Sequence, residues 1–245
     1  MSLTMTYAKH QLIETARTPV SFLTITLMPL AVMLFFIVPF LGDDPVAMTA
    51  ATATMVVFAV LLSCVGQFSM AVALSRESPW GAYLRTLPGG LAPQVVSNLL
   101  TGAVVVVTAV VPIIVVAALF TAATAPLSRV LAAVGALLAA VVAFTVMGIA
   151  IGYTLSMQAT VIVNSVGILA LAVGGGMFFD PAETPALVET IAPFLPTRGA
   201  TDLVLAALVG HPLDPTALVM LIVWTLGLSA LLVWGYRRDE GRRFR

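Results

Sequence analysis

Two arginines and a glutamate between the second and third hydrophobic runs are the side chains best placed for directed chemistry. They stand in Leu74–Pro93, LSRESPWGAYLRTLPGGLAP, as Arg76, Glu77 and Arg85. Charges of both signs on one loop suit ion pairing with a partner surface. Trp80 and Tyr83, interleaved with them, suit either a docking face or an anchor at the membrane surface. Other chemistries lack their groups. A phosphate-binding Walker A loop needs a lysine after glycines, and the only lysine, Lys9, has no glycine-rich context. There is no H-E-x-x-H, no G-x-S-x-G and no Cys/His cluster. His10 and His211 are the only histidines, and they are predicted on opposite sides of a membrane, which argues against a metal site or a triad within one chain. Cys64, alone inside an apolar run, has no partner for an intrachain disulfide and reads as a small buried hydrophobe.

The elements that must position these groups are membrane helices. Of the 245 residues, 60% are hydrophobic and 9% charged, and the mean hydropathy is +1.10. A soluble domain carries about 25% charged residues, so this composition places the chain in the membrane class. The N-terminus does not read as a cleaved signal peptide, and the first run is taken as a retained span. Charge-free runs predict spans at 18–42, 46–75 and 95–120, with Pro29 and Pro112 inside the first and third. Fifty residues without a charge follow Arg129. That is two spans' worth, predicted at 130–154 and 160–178 with a turn at 156–159. The sixth span covers 216–235, with Trp234 and Tyr236 at its boundary. Gly148 and Gly152 form a small-xxx-small pair that permits close helix contact. Residues 1–19, with Met5, Tyr7 and Leu12, suit an interfacial amphipathic segment. Residues 180–214, broken by prolines and charges, suit short amphipathic or re-entrant helices, and Gly174–Gly176 would loosen the end of helix five.

Six spans put both termini on one side. That side then receives nine of the eleven basic residues, leaving Arg129 and Arg198 opposite. The positive-inside rule makes the arginine-rich side cytoplasmic, and with it the Leu74–Pro93 loop and the basic tail 237–245. No Asp, Glu, Lys or Arg lies deep within a span, which weakens the case for an ion-coupled carrier. Gln67, Gln158 and Asn164 are the most polar groups along the spans. Gln67 and Asn164 are candidate contacts on a substrate path, against the plainer alternative of helix-packing residues.

Three features resemble the ABC-2 type membrane subunit of ATP-binding-cassette exporters, a family that includes daunorubicin-resistance-type and polysaccharide-export permeases. The first is the six-span layout with an amphipathic N-terminal segment. The second is the loop after helix two, where Arg76, Glu77, Gly81, Leu84 and Pro88 sit as the family pattern expects. Pro79 and Trp80 replace more usual charged or small residues there. The third is the stretch after helix five, with Gly176, Met177, Phe178, Phe179, Pro185, Leu187, Ile191, Phe194 and Pro196 ahead of an apolar run to Val209.

The resemblance implies an all-α, polytopic membrane protein forming one ABC-2 type transmembrane domain over 1–245. It would comprise six transmembrane helices, a cytoplasmic N-terminal amphipathic helix (1–19), a cytoplasmic coupling helix between helices two and three (75–93), short amphipathic or re-entrant helices between helices five and six (180–214), and a cytoplasmic tail (237–245). Arg76, Glu77, Trp80, Gly81, Tyr83, Leu84, Arg85 and Pro88 would dock an ATPase, and Phe178, Phe179, Pro196 and Arg198 would shape the external segment. The chain itself would bind no cofactor, and ATP and Mg2+ would sit on the partner. The implied partners are two copies of an ABC-type ATP-binding subunit, a second copy of the chain or a paralogous permease, and membrane lipids, with no nucleic acid. The implied location is a bacterial plasma membrane. A non-transport membrane anchor or assembly protein is the alternative. An integral membrane lipid-modifying enzyme is a further one, and it would need a polar cluster that Asp180, Arg198 and Asp202 do not form by spacing.

Overall fold

The computed structural model describes residues 13, 27–39, 44–77, 91–179 and 184–241, with the backbone alone at 36, 91–103, 240 and 241. The predicted N-terminal segment, apart from Ile13, and most of the Leu74–Pro93 loop lie outside the described residues. What is described is all-α. Helix α1 runs over 27–37 and ends in a π turn, Met33–Ile37. Next come α2 (Pro45–Glu77), α3 (Leu91–Phe120), α4 (Leu127–Thr154), α5 (Met157–Gly174), α6 (Ala186–Ile191), α7 (Pro196–Val209) and α8 (Pro215–Gly241). By length and composition α2, α4, α5 and α8 can each cross a membrane. Helix α3 is 30 residues long and passes through Pro112 without a break.

The starts of these helices are written locally. Asp44 caps α2, its Oδ1 accepting from the Val46 amide at 3.0 Å, and Pro45 follows in the first turn, where its missing N–H costs nothing. Ser156 caps α5, its Oγ accepting from the Ala159 amide at 3.4 Å. Asp214 accepts from the Thr216 amide at 2.8 Å at the head of α8. Two boundaries differ from the predicted ones. The α4–α5 turn is only two residues, Leu155 and Ser156, because Ser156 starts a helix at once. Helix α8 runs on to Gly241, since nothing in Tyr236–Glu240 breaks a helix once the membrane boundary is passed.

Helix α4 is the axis of the bundle and packs against α2, α3, α7 and α8. Phe58, Leu61, Ile113, Phe144 and Ile149 are fully buried between these helices. Lipid tails are as apolar as leucine, so close packing, more than exclusion from water, holds such helices together. The sequence allows it through the glycine pair on α4. A Cβ at Gly148 would lie 2.6 Å from the Cys64 carbonyl oxygen, and one at Gly152 would lie 2.7 Å from that of Ser69. The backbones of α2 and α4 are therefore in direct contact where the pair was expected to permit it.

Helix α7 overturns the picture of a surface segment between the last two spans. It is wedged among α2, α4 and α8, and Pro196, Thr197, Gly199, Ala200, Thr201, Asp202 and Val204 are buried. Gly174–Gly176 do not merely loosen the end of α5. Gly176 takes a left-handed φ of +79°, and Gly175 has no room for a Cβ beside Thr197, whose Oγ1 donates to the Leu171 carbonyl at 2.8 Å. The glycines let the head of α7 dock on the tail of α5.

Candidate functional site

The end of α2 carries the first two residues of the charged loop, and the helix delivers both to one place. Arg76 lies in the last turn of α2. Its Nη1 donates to the carbonyls of Gly152 at 2.7 Å and Leu155 at 3.0 Å, at the C-terminal end of α4. Its Nε donates to Asp239 Oδ1 on α8 at 3.3 Å. Next in sequence, Glu77 accepts the Met157 amide through Oε1 at 3.1 Å, at the first residue of α5.

The charges match what each helix end needs. The last carbonyls of a helix have no intrahelical donors and carry partial negative charge, which a guanidinium satisfies. The first amides lack acceptors and carry partial positive charge, which a carboxylate satisfies. Consecutive residues of α2 thus serve the outgoing and incoming ends of one turn. Gly152 contributes twice: its missing Cβ lets α2 approach, and its carbonyl receives Arg76. Side chains in this ion pair are 19% exposed for Arg76 and 10% for Asp239, so water competes weakly for the bonds. The aromatic rings of Tyr153 and Tyr236 meet edge to face, with centroids 5.6 Å apart, and hold α4 against α8 beside the pair.

Halfway along the bundle a polar seam joins α2 to α5. Both helices carry a π turn here, Leu62–Gly66 and Val163–Gly167. A π turn leaves carbonyls with weakened intrahelical bonding and is frequent at functional positions. Asn164 Nδ2 donates to the Gly66 carbonyl at 3.3 Å. Ser69 Oγ lies 3.0 Å from Asn164 Oδ1 and 3.2 Å from Gly66 O, its single proton serving one of them. Gln67 stands beside the seam with its Nε2 buried and without a hydrogen-bond partner among the described residues.

At the far end, Phe178 packs edge-on against Phe58 of α2 at 5.0 Å and joins the core. Phe179 donates its amide to the Gly176 carbonyl at 3.4 Å, closing the turn after α5. Pro196 is the buried first residue of α7. Arg198 Nε lies 3.0 Å from Asp202 Oδ1 and donates to Oδ2 at 3.1 Å. Burial pushes the Asp202 carboxyl above its ordinary value, and the Arg198 guanidinium opposes the rise.

The sequence-predicted residues thus fall into three groups: Arg76 with Glu77 at one end, Gln67 with Asn164 midway, and Phe178, Phe179, Pro196 and Arg198 at the other end. Trp80, Gly81, Tyr83, Leu84, Arg85 and Pro88 lie outside the described residues. Three contributors were missed. Asp239 looked like part of a tail, although its continuity with the α8 run was a usable signal. Arg129 donates to the Leu208 carbonyl at 3.3 Å and holds the end of α7. Trp224 Nε1 donates to the Phe194 carbonyl at 2.9 Å. Among the described residues no group of three or more His, Cys, Asp or Glu is arranged to hold a metal ion.

No curated protein matches the chain. The family model described as ABC-2 type transporter matches residues 2–209. That match spans the loop, the seam and α7 alike, and the chain belongs to the ABC-2 type transporter family, whose members are membrane-embedded, non-catalytic permease-type proteins.

Proposed function

We propose that the chain is the membrane-spanning permease subunit of an ATP-binding-cassette exporter. It moves a hydrophobic or amphipathic substrate outward, using ATP and Mg2+ held by a separate nucleotide-binding subunit. The family match carries the proposal, and the absence of a Walker A lysine from the sequence requires the ATPase to be another chain. Six spans, both termini in the cytoplasm and a bacterial plasma membrane follow from the basic-residue distribution and the family. Two copies, or one copy and a paralogous permease, pair in the membrane, and each docks one ATPase.

Docking falls to residues 75–93 as a coupling helix, with Trp80, Tyr83, Leu84 and Arg85 facing the ATPase and Gly81 and Pro88 bounding the piece. Arg76 and Glu77 are its root, where the loop leaves α2. The charge-free interior along α2 and α5, with Gln67 and Asn164 as its polar points, suits a greasy cargo. Helices α6 and α7 form the re-entrant cap of the external end.

Copurification from native membranes tests the proposal. A Walker A protein should accompany the chain, its ATP hydrolysis should rise when the chain is reconstituted with it, and Arg85→Glu should weaken the association while the chain still inserts. Recovery of the chain from membranes with no ATP-hydrolysing partner would overturn the permease role in favour of an anchor or assembly protein.

A further inference from the structure

We infer that Arg76, Glu77 and Asp239 form a clamp that transmits movement of the 78–90 loop to the α4–α5 turn and to the last helix. Arg76 and Asp239 act as positioning residues rather than as contacts for the ATPase. The inference presupposes the permease role.

The connectivity carries it. Arg76 and Glu77 are the last two described residues before the loop. Any displacement of the loop must pass through them or be lost in the backbone of α2. Their side chains do not point away from the bundle as free docking charges. Arg76 reaches the Gly152 and Leu155 carbonyls and Asp239, and Glu77 reaches the Met157 amide. The partners lie 76 to 163 residues away in sequence and belong to three further helices.

The clamp is directional in its wiring. The Glu77 bond is to the first amide of α5, a helix whose most apolar window is only 17% buried, against 72% for α2. Helix α5 is therefore lightly held by the rest of the chain, through the Asn164 seam, the α7 contact and this cap. A pull on Glu77 moves the element with least to resist it. Arg76, by contrast, is tied to α4, the axis of the bundle, and to α8, and these supply the fixed points against which α5 shifts. Charge-assisted hydrogen bonds of this kind are short and orienting, and there are few enough of them to break and re-form during a cycle.

The first arm of the test uses the chain alone in lipid nanodiscs. Hydrogen exchange at the amides of Leu155–Ala159 should be roughly tenfold faster in Arg76→Ala and in Glu77→Ala. It should stay near wild type in Glu77→Gln, whose amide oxygen keeps the acceptor. Unchanged exchange in both alanine variants would overturn the clamp whatever the partner. The second arm uses the complex with the copurifying ATPase. ATP with vanadate should change exchange at Leu155–Ala159 in the wild type. Asp239→Asn and Arg76→Ala should retain the ATPase but lose most of that change, and Glu77→Gln should preserve it. A nucleotide-dependent change that persists undiminished in Asp239→Asn and Arg76→Ala, with the ATPase still bound, would overturn the transmission. Loss of the ATPase from Arg76→Ala and Asp239→Asn, but not from Glu77→Gln, would also overturn it, by making these residues docking contacts.

Discussion

The two ends of the helix bundle are held together by different physics. At the end where α2 leaves for the loop, the joints are individual polar bonds: Arg76 to two carbonyls and Asp239, and Glu77 to one amide. At the opposite end a helix has been pushed into the bundle. Helix α7 is buried along one face, and Gly199 abuts the Ala217 carbonyl so closely that a Cβ would overlap it. Packed backbone is hard to deform, because interiors are close-packed and tolerate little displacement. A few directional bonds can be exchanged one at a time. The bundle is therefore stiff at one end and articulated at the other, as suits a machine driven from the articulated end.

Variants at each end can break or sharpen this contrast. The largest effect is expected from Gly199→Val. Its side chain would collide with the Ala217 carbonyl and with Leu221 Cβ, 2.9 Å from an ideal Cβ, and backbone cannot step aside. A cost of more than about 3 kcal/mol is expected, read as failure to recover monodisperse protein from membranes. Recovery at wild-type yield and melting temperature would show that the packed end is soft after all. Arg76→Ala comes next. It strands the Asp239 carboxylate and two helix-end carbonyls in a partly buried setting, for a loss of about 2–3 kcal/mol. A melting temperature in detergent unchanged from wild type would mean that solvent already satisfies these groups.

Trp224→Phe should cost about 1 kcal/mol, since it removes one hydrogen bond to Phe194 O and keeps most of the ring. A loss as large as that of Arg76→Ala would shift weight to polar bonds at the packed end too. Smallest is a slope in pH. The folded state holds the Asp202 carboxyl above its ordinary 3.8, chiefly through burial. The folded form therefore binds that proton more tightly than the unfolded chain. The resulting stabilisation is complete below 3.8 and is lost as pH rises through the raised value. Wild type should accordingly lose stability relative to Asp202→Asn across that window. Parallel melting curves for the two proteins would show that Arg198 compensates the burial in full.

The contrast also explains what the sequence revealed. Helices α2 and α4 were legible because charge-free runs with charged ends leave a membrane helix little choice, and the Gly148–Gly152 spacing announced their contact. Helix α7 was not legible as a buried element. Its segment carries Arg198 and Asp202 and follows a proline-rich stretch, and only the pairing of those two charges four residues apart makes their burial tolerable. Arg76 was marked as important, but its partners were hidden. Two are backbone carbonyls, which leave no trace in residue type, and the third, Asp239, is 163 residues away in what resembled a solvated tail. Asn164 was legible as polar within a span, while its choice between packing and cargo depended on Gly66 and Ser69 lying across from it.

The π turn at Leu62–Gly66 bears on how this family can vary. It holds one more residue than an α-helical turn would, and Arg76 follows ten residues later on the same continuous helix. Deleting one residue there would wind the turn back to α and rotate everything after it by about 100°. Arg76 and Glu77 would then face away from α4 and α5, although no residue of the clamp had been touched. Chain length between Leu61 and Arg76 is thus as constrained as residue identity. A relative lacking one residue in that turn would have to move its arginine along the helix, and it should look like an exception to the loop pattern until the gap is placed correctly.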